Sequence, residues 1–271
     1  MRSGTTRDSR RTVSRVWQRV GMSAAALSGG LLVATAMAQT PGSSSPSAGV
    51  TASPVAAGPD LEIVDASVRH LRDLDLLLFE LDVAGTAGAT VPAPHGALDG
   101  APVLGYVVPT TLPVEAVGFT GGEGIVALAV TSHPDFDDTP FWDENLDGDY
   151  ANDGELWHAH WVLVGEDKRV PGGLAVLDVA EDEVAQVLPP TAPGLPLYLD
   201  SPGFSVQLRD GAVRVQVPAP RIASDPDFSF DAATAYLQVN TSDPGRPMLG
   251  VYDVYGVLSG DLSLPYGVTS E

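Results

Sequence analysis

From Asp60 onward the apolar residues of this chain come in short runs, each closed by glycine, proline or aspartate. Proline removes a backbone donor and glycine supplies tight turns, so a chain divided this often has little room for helices. The division reads as an all-β fold. Strand candidates are Leu61–His70, Leu74–Val83, Val103–Val108, Ile125–Thr131, Leu156–Val164, Leu174–Val179, Phe204–Leu208, Ala212–Val217, Thr234–Asn240 and Leu249–Leu258. Only Glu181–Val187 suits a helix. About ten short strands with long Pro/Gly connections predict a β-sandwich. In Leu74–Val83 the residues Leu77, Phe79, Leu81 and Val83 share one face, and Leu74, Leu76 and Leu78 share the other. That pattern predicts a strand buried on both sides, although continuous leucines also fit a helix.

The chain before Asp60 reads differently. Six arginines precede an apolar, small-residue run that ends in Ala36-Met37-Ala38, the pattern of a cleavable export signal over residues 1–38. Ser9-Arg10-Arg11 resembles the start of a twin-arginine signal, so both export routes stay open. Residues 39–59, rich in Ser, Pro, Ala and Gly, read as a flexible linker. The expected mature protein is periplasmic or extracellular, soluble, and not inserted in a membrane, because no later stretch reaches the roughly 20 apolar residues a span requires. With no cysteine available for disulfides, its stability must come from an apolar core and from any bound metal.

Removing the signal takes six of the 14 basic and one of the 35 acidic side chains, leaving 8 against 34, a net −26. Such a surface excludes nucleic acid and anionic lipid, which need clustered Lys or Arg to displace counterions. Residues 60–271 are expected to form the folded domain, with a possible seam near 188–202 in the Pro-rich passage Leu188–Gly194. A weak internal echo suggests a repeated β unit. Gly118-Phe119, Gly124–Val130 and Ser132–Phe136 are matched in order by Gly203-Phe204, Gly211–Val217 and Ser224–Phe228.

Between Arg72 and Lys168 there is no Lys or Arg, yet nine Asp and Glu fall between Asp135 and Glu155. Two like charges about 4 Å apart repel by about 1 kcal/mol in water, and by several-fold more near a protein surface. A bound divalent cation would remove that cost. Within the cluster, Asp143, Asn145, Asp147 and Asp149 alternate, with Gly148 at the sixth position. This stretch resembles the calcium loops of EF-hand and dockerin proteins, and the resemblance implies Ca2+ held by Asp143, Asn145, Asp147, Asp149, Asp153 and Glu155. It departs at the twelfth position, which is Gly154, and in having no flanking helix; a solvated Asp/Asn/Gly turn is the alternative.

Trp157-His158-Ala159-His160-Trp161 adjoins this loop. On a strand, the period of two puts both histidines on one face and both tryptophans on the other. Two parallel imidazoles are what a Zn, Cu or Fe site takes from one strand, with His133 and Asp135 as further candidate ligands and His95 or His70 as more remote ones. His-x-His-Trp resembles the zinc strand of α-type carbonic anhydrases, but no histidine follows His160 to supply their third ligand. Cupin and facial-triad iron-oxygenase patterns likewise lack their downstream partners here. No nucleophile motif or phosphate-binding glycine loop is present. Phe141, Trp142, Trp157 and Trp161 could stack on sugars or pack in the core, and a protein or sugar partner is not identified. The sequence supports an exported, metal-binding β protein with a calcium-type loop. The alternative is a transition-metal enzyme or periplasmic metal handler, and the sequence leaves open whether the protein is an enzyme.

Overall fold

The structure, a computed structural model, describes residues 55–120, 122–135, 156–179, 201–223 and 225–271. These residues form strands β1 (Ile63–Leu71), β2 (Leu76–Val83), β3 (Pro102–Pro109), β4 (Ile125–Ser132), β5 (His158–Glu166), β6 (Leu174–Val176), β7 (Ser205–Arg209) and β8 (Ala212–Pro218). They continue through β9 (Ser229–Phe230), β10 (Ala233–Val239), β11 (Leu249–Val257), β12 (Tyr266–Gly267) and β13 (Thr269–Ser270). The described residues contain no α-helix, only 3-10 turns. All ten expected strands are present with ends shifted by a few residues. The additional β9, β12 and β13 are two residues long, too short for any periodicity. The calcium-type loop, the helix candidate Glu181–Val187, the passage Leu188–Gly194 and the export signal lie outside the described residues.

The class is all-β, but the strands do not make two open sheets. Six of them close into a barrel in the order β10-β11-β6-β5-β4-β3. Closure is made by β3 and β10, which pair antiparallel from Val107↔Ala233 to Pro102↔Gln238. Local pattern cannot tell a closed barrel from a sandwich, because each strand alternates in the same way in both. What separates them here is a ladder between segments far apart in sequence. Two register shifts between β10 and β11, at Thr234/Ala235 and Tyr236/Leu237, add the local twist that helps a narrow sheet curl.

The remaining long strands form an open sheet, β13-β1-β2-β8-β7. One face of it carries Leu77, Phe79, Leu81, Val213, Val215 and Val217, each nearly or fully buried. It packs on the outer wall of the barrel, where Phe79 meets Trp161 edge-on with ring centroids 6.1 Å apart and stacks on Phe228 at 6.2 Å. A buried aromatic or leucine side chain contributes about 1.5–3 kcal/mol, so this interface is the main apolar core. β2 is not buried on both sides. Leu76 and Leu78 are half-buried and Leu74 is 65% exposed. Their face also bears Glu80, which pairs across the sheet with Arg214 and lies 3.6 Å from Arg69.

A loop seals one edge of this core. Tyr106 donates its hydroxyl hydrogen to the Asp60 carbonyl at 2.9 Å and accepts the Gly88 N–H at 2.9 Å. Gly88 has a φ of +71°, and a Cβ there would sit 2.4 Å from Leu208 and 2.7 Å from Trp157, so only glycine fits. Residues at the end of the Ser/Pro linker join the fold as well: Tyr255 donates to the Val55 carbonyl at 2.9 Å. The two halves of the internal echo fall in different sheets. β4 lies between β3 and β5 in the barrel, whereas β8 lies between β2 and β7, so they do not occupy equivalent positions.

Candidate metal centre

β4 and β5 pair antiparallel, with Thr131 opposite His158 and Ala129 opposite His160. Because paired residues share a face, the histidines of β5 and the small residues of β4 project to the same side. His133, two residues beyond Thr131, continues that face past the end of β4. The face is the inside of the barrel. A cavity of about 80 Å³ is lined from all six strands, including Val103, Ala127, Val162, Val176, Ala235 and Val251. His133 and His160 border it.

The three imidazoles converge at this end of the lumen. His133, His158 and His160 are 2%, 6% and 4% exposed, so water cannot satisfy their ring nitrogens. One nitrogen from each lies within 4.8 Å of the other two, a spacing from which a single ion can gather all three. The ring centroids of His133 and His160 stand 4.7 and 4.8 Å from that of His158.

One hydrogen bond sets the protonation of the pair at its centre. His158 Nδ1 lies 2.7 Å from the Leu156 carbonyl oxygen, which can only accept, so Nδ1 carries the hydrogen. In neutral His158 the lone pair is then on Nε2. His158 Nε2 is 2.9 Å from His133 Nε2, and in the metal-free pair His133 supplies the proton between them. A metal ion would replace that proton and use the same lone pairs. A backbone carbonyl holding the far N–H is how ligating histidines are usually oriented, since it fixes both tautomer and ring direction.

Asp135 is placed otherwise. Its carboxylate accepts the His95 N–H at 2.8 Å and the Gly96 N–H at 2.6 Å, tying that loop to the chain just beyond His133. Among the described residues the histidine group contains no carboxylate. His95 is exposed, and His70 sits on β1 in the other sheet, so neither belongs to the cluster. Trp157 and Trp161 point out of the barrel, against Tyr106 and Phe79, as core residues. Asp143, Asn145, Asp147, Asp149, Asp153 and Glu155 lie outside the described residues.

The residue overlooked in the sequence is Thr131. It is 8% exposed, lines the lumen beside His133 and His160, and its hydroxyl has no hydrogen-bond partner among the described residues. The signal was available: strand period two places Thr131 on the same face as His133. No known family model, curated protein or solved structure matches this chain. The functional reading therefore rests on the site's own geometry.

Proposed function

We propose that this is an exported metalloprotein whose centre is a transition-metal ion, Zn, Cu or Fe, bound by His133, His158 and His160 at one end of the barrel lumen. The observation that carries the reading is the convergence of three buried imidazoles, one of them already oriented by a backbone carbonyl. Imidazole suits all three metals, and the described members of the group supply nitrogen ligands. Among the described residues the group supplies three ligands, the number found in catalytic zinc sites, where closed structural sites take four. His133 and His160 border the lumen cavity, which favours ligand exchange at the metal over a purely structural role. The calcium reading is a separate proposal, supported by the alternation of oxygen-bearing side chains from Asp143 to Asp149.

Elemental analysis of protein exported by its own host tests the centre, with wild type beside the His158→Ala/His160→Ala double variant. We expect about one equivalent of Zn, Cu or Fe in the wild type and none in the variant. No such metal in the wild type, or equal amounts in both, overturns it. A calcium-dependent rise in Tm that persists in the variant would establish the acidic loop as a second site.

A further inference from the structure

The lumen is emptier than a barrel of six strands needs to be. Small barrels normally fill their interior with side chains, because a void forfeits the dispersion contacts that a close-packed core makes. Here β4 contributes Ala127 and Ala129, and β10 contributes Ala233 and Ala235, where leucine or isoleucine would fill the space. Between them β3 places Gly105, paired with Thr131 on one side and with Ala235 on the other. A Cβ at Gly105 would stand 3.4 Å from Val107 and 3.7 Å from Leu237, which is ordinary contact, so close packing does not require the glycine. Small residues on three adjacent strands thus leave a cavity of about 80 Å³, apolar except near Thr131, His133 and His160.

Size and polarity together limit the occupant. A cavity of about 150 Å³ takes benzene, with its six heavy atoms, so one of about 80 Å³ takes about three. Water needs about two to four polar partners and an ion needs a paired charge, and walls of alanine and valine supply neither. We infer that the lumen is a chamber for a small apolar gas, dioxygen, held beside the histidine group. An apolar molecule gains by leaving water for such a space and needs no hydrogen bond there. Among apolar molecules of this size, dioxygen is the one whose chemistry calls for a Cu or Fe ion. The choice of gas rests on the metal reading above, whereas the chamber rests on the lumen alone. Because His133 and His160 border the cavity, a molecule inside it lies against their rings without any bond to the metal.

Full-length protein with isotope-labelled alanine and valine methyls provides the test, supplied with diamagnetic Zn(II) and equilibrated under dioxygen pressure. Dissolved dioxygen is paramagnetic and speeds the nuclear relaxation of the methyls it touches. Those of Ala127, Ala235 and Val251 should relax at least about threefold faster than those of Ala159, Val213 and Val215, which are comparably buried but close-packed. Xenon, which enters dry apolar cavities, should shift the same lumen methyls saturably, and benzene, too large for the space, should not. Ala127→Leu fills the chamber and should bring the remaining lumen methyls down to the relaxation of the packed set; Ala235→Leu carries the same test should Ala127→Leu fail to fold. Equal relaxation of the two sets in the unaltered protein overturns the chamber, whatever metal the histidines hold. Elemental analysis that finds Zn alone, or no transition metal, in the exported protein overturns dioxygen as the occupant and leaves the chamber standing.

Discussion

The barrel wall has two apolar sides that differ in almost every physical respect. Its outer side carries large aromatic residues, Trp161, Tyr106 and Trp157, and meets Phe79 of the open sheet, which stacks on Phe228. Its inner side is built from alanine and valine around empty space and ends in three histidines. Along β5 the two alternate residue by residue, with Ala159 and Trp161 facing the sheet and His158, His160 and Val162 facing the lumen. One side is filled by close-packed rings, and the other leaves a cavity that ends in the histidine group. A single strand serves both because the period of two keeps its faces chemically independent.

Truncation should expose this contrast most strongly. Phe79→Ala removes a fully buried ring from the packed side and is expected to cost about 3–5 kcal/mol in chemical denaturation. Val251→Ala, which borders space already empty, is expected to cost about 1 kcal/mol, since fewer contacts are lost. Equal costs would break the distinction. Enlargement should draw the same contrast with smaller magnitude. Ala159→Val on the packed side is expected to destabilise by about 1–3 kcal/mol through overpacking. Ala127→Val, facing the lumen, should be neutral within about 0.5 kcal/mol, and paired urea unfolding curves would show whether the lumen is as hollow as described.

A pH dependence is expected on the packed side as well. Burial pushes the Tyr106 phenol up to about 12, against an ordinary value of 10.0. A group whose pKa is raised on folding contributes stability that is present below its unfolded value and lost as pH climbs to the folded one. Stability should therefore fall between pH 10 and 12, by about 1 kcal/mol per unit from this residue. Tyr106→Phe should remove its share of that decline while lowering stability at neutral pH, because it deletes the hydrogen bonds to Asp60 and Gly88; Tyr236, also pushed up to about 12 by burial, keeps its own share. An unchanged alkaline decline in the variant would show that Tyr106 is not the titrating group.

Much of the candidate site could be read from the chain before its structure. His158 and His160 share a face because adjacent residues on a strand alternate, which is a local property. His133 was a candidate by proximity, and the antiparallel pairing of β4 with β5 gives it a reason: the chain returns alongside itself, bringing its end to the start of β5. Asp135 looked equally suited, yet its carboxylate went to the backbone N–H groups of His95 and Gly96. Nothing local distinguishes an acid that binds a metal from one that caps a loop. Thr131 was missed because threonine is common in β-rich runs, and only its place in the lumen, without a hydrogen-bond partner among the described residues, marks it.

By itself, then, the sequence determined the strands, their inward and outward faces, and the chemistry gathered near His158. All of these follow from periodicity over a few residues, set by backbone geometry that every strand shares. It did not determine that β3 would close on β10, that β2 would leave one face half-exposed, or that the wall of alanines and valines would enclose a hollow. Those depend on which ladders pair across long separations. Backbone hydrogen bonds are chemically identical from strand to strand, so only the summed packing of the whole fold selects among the pairings.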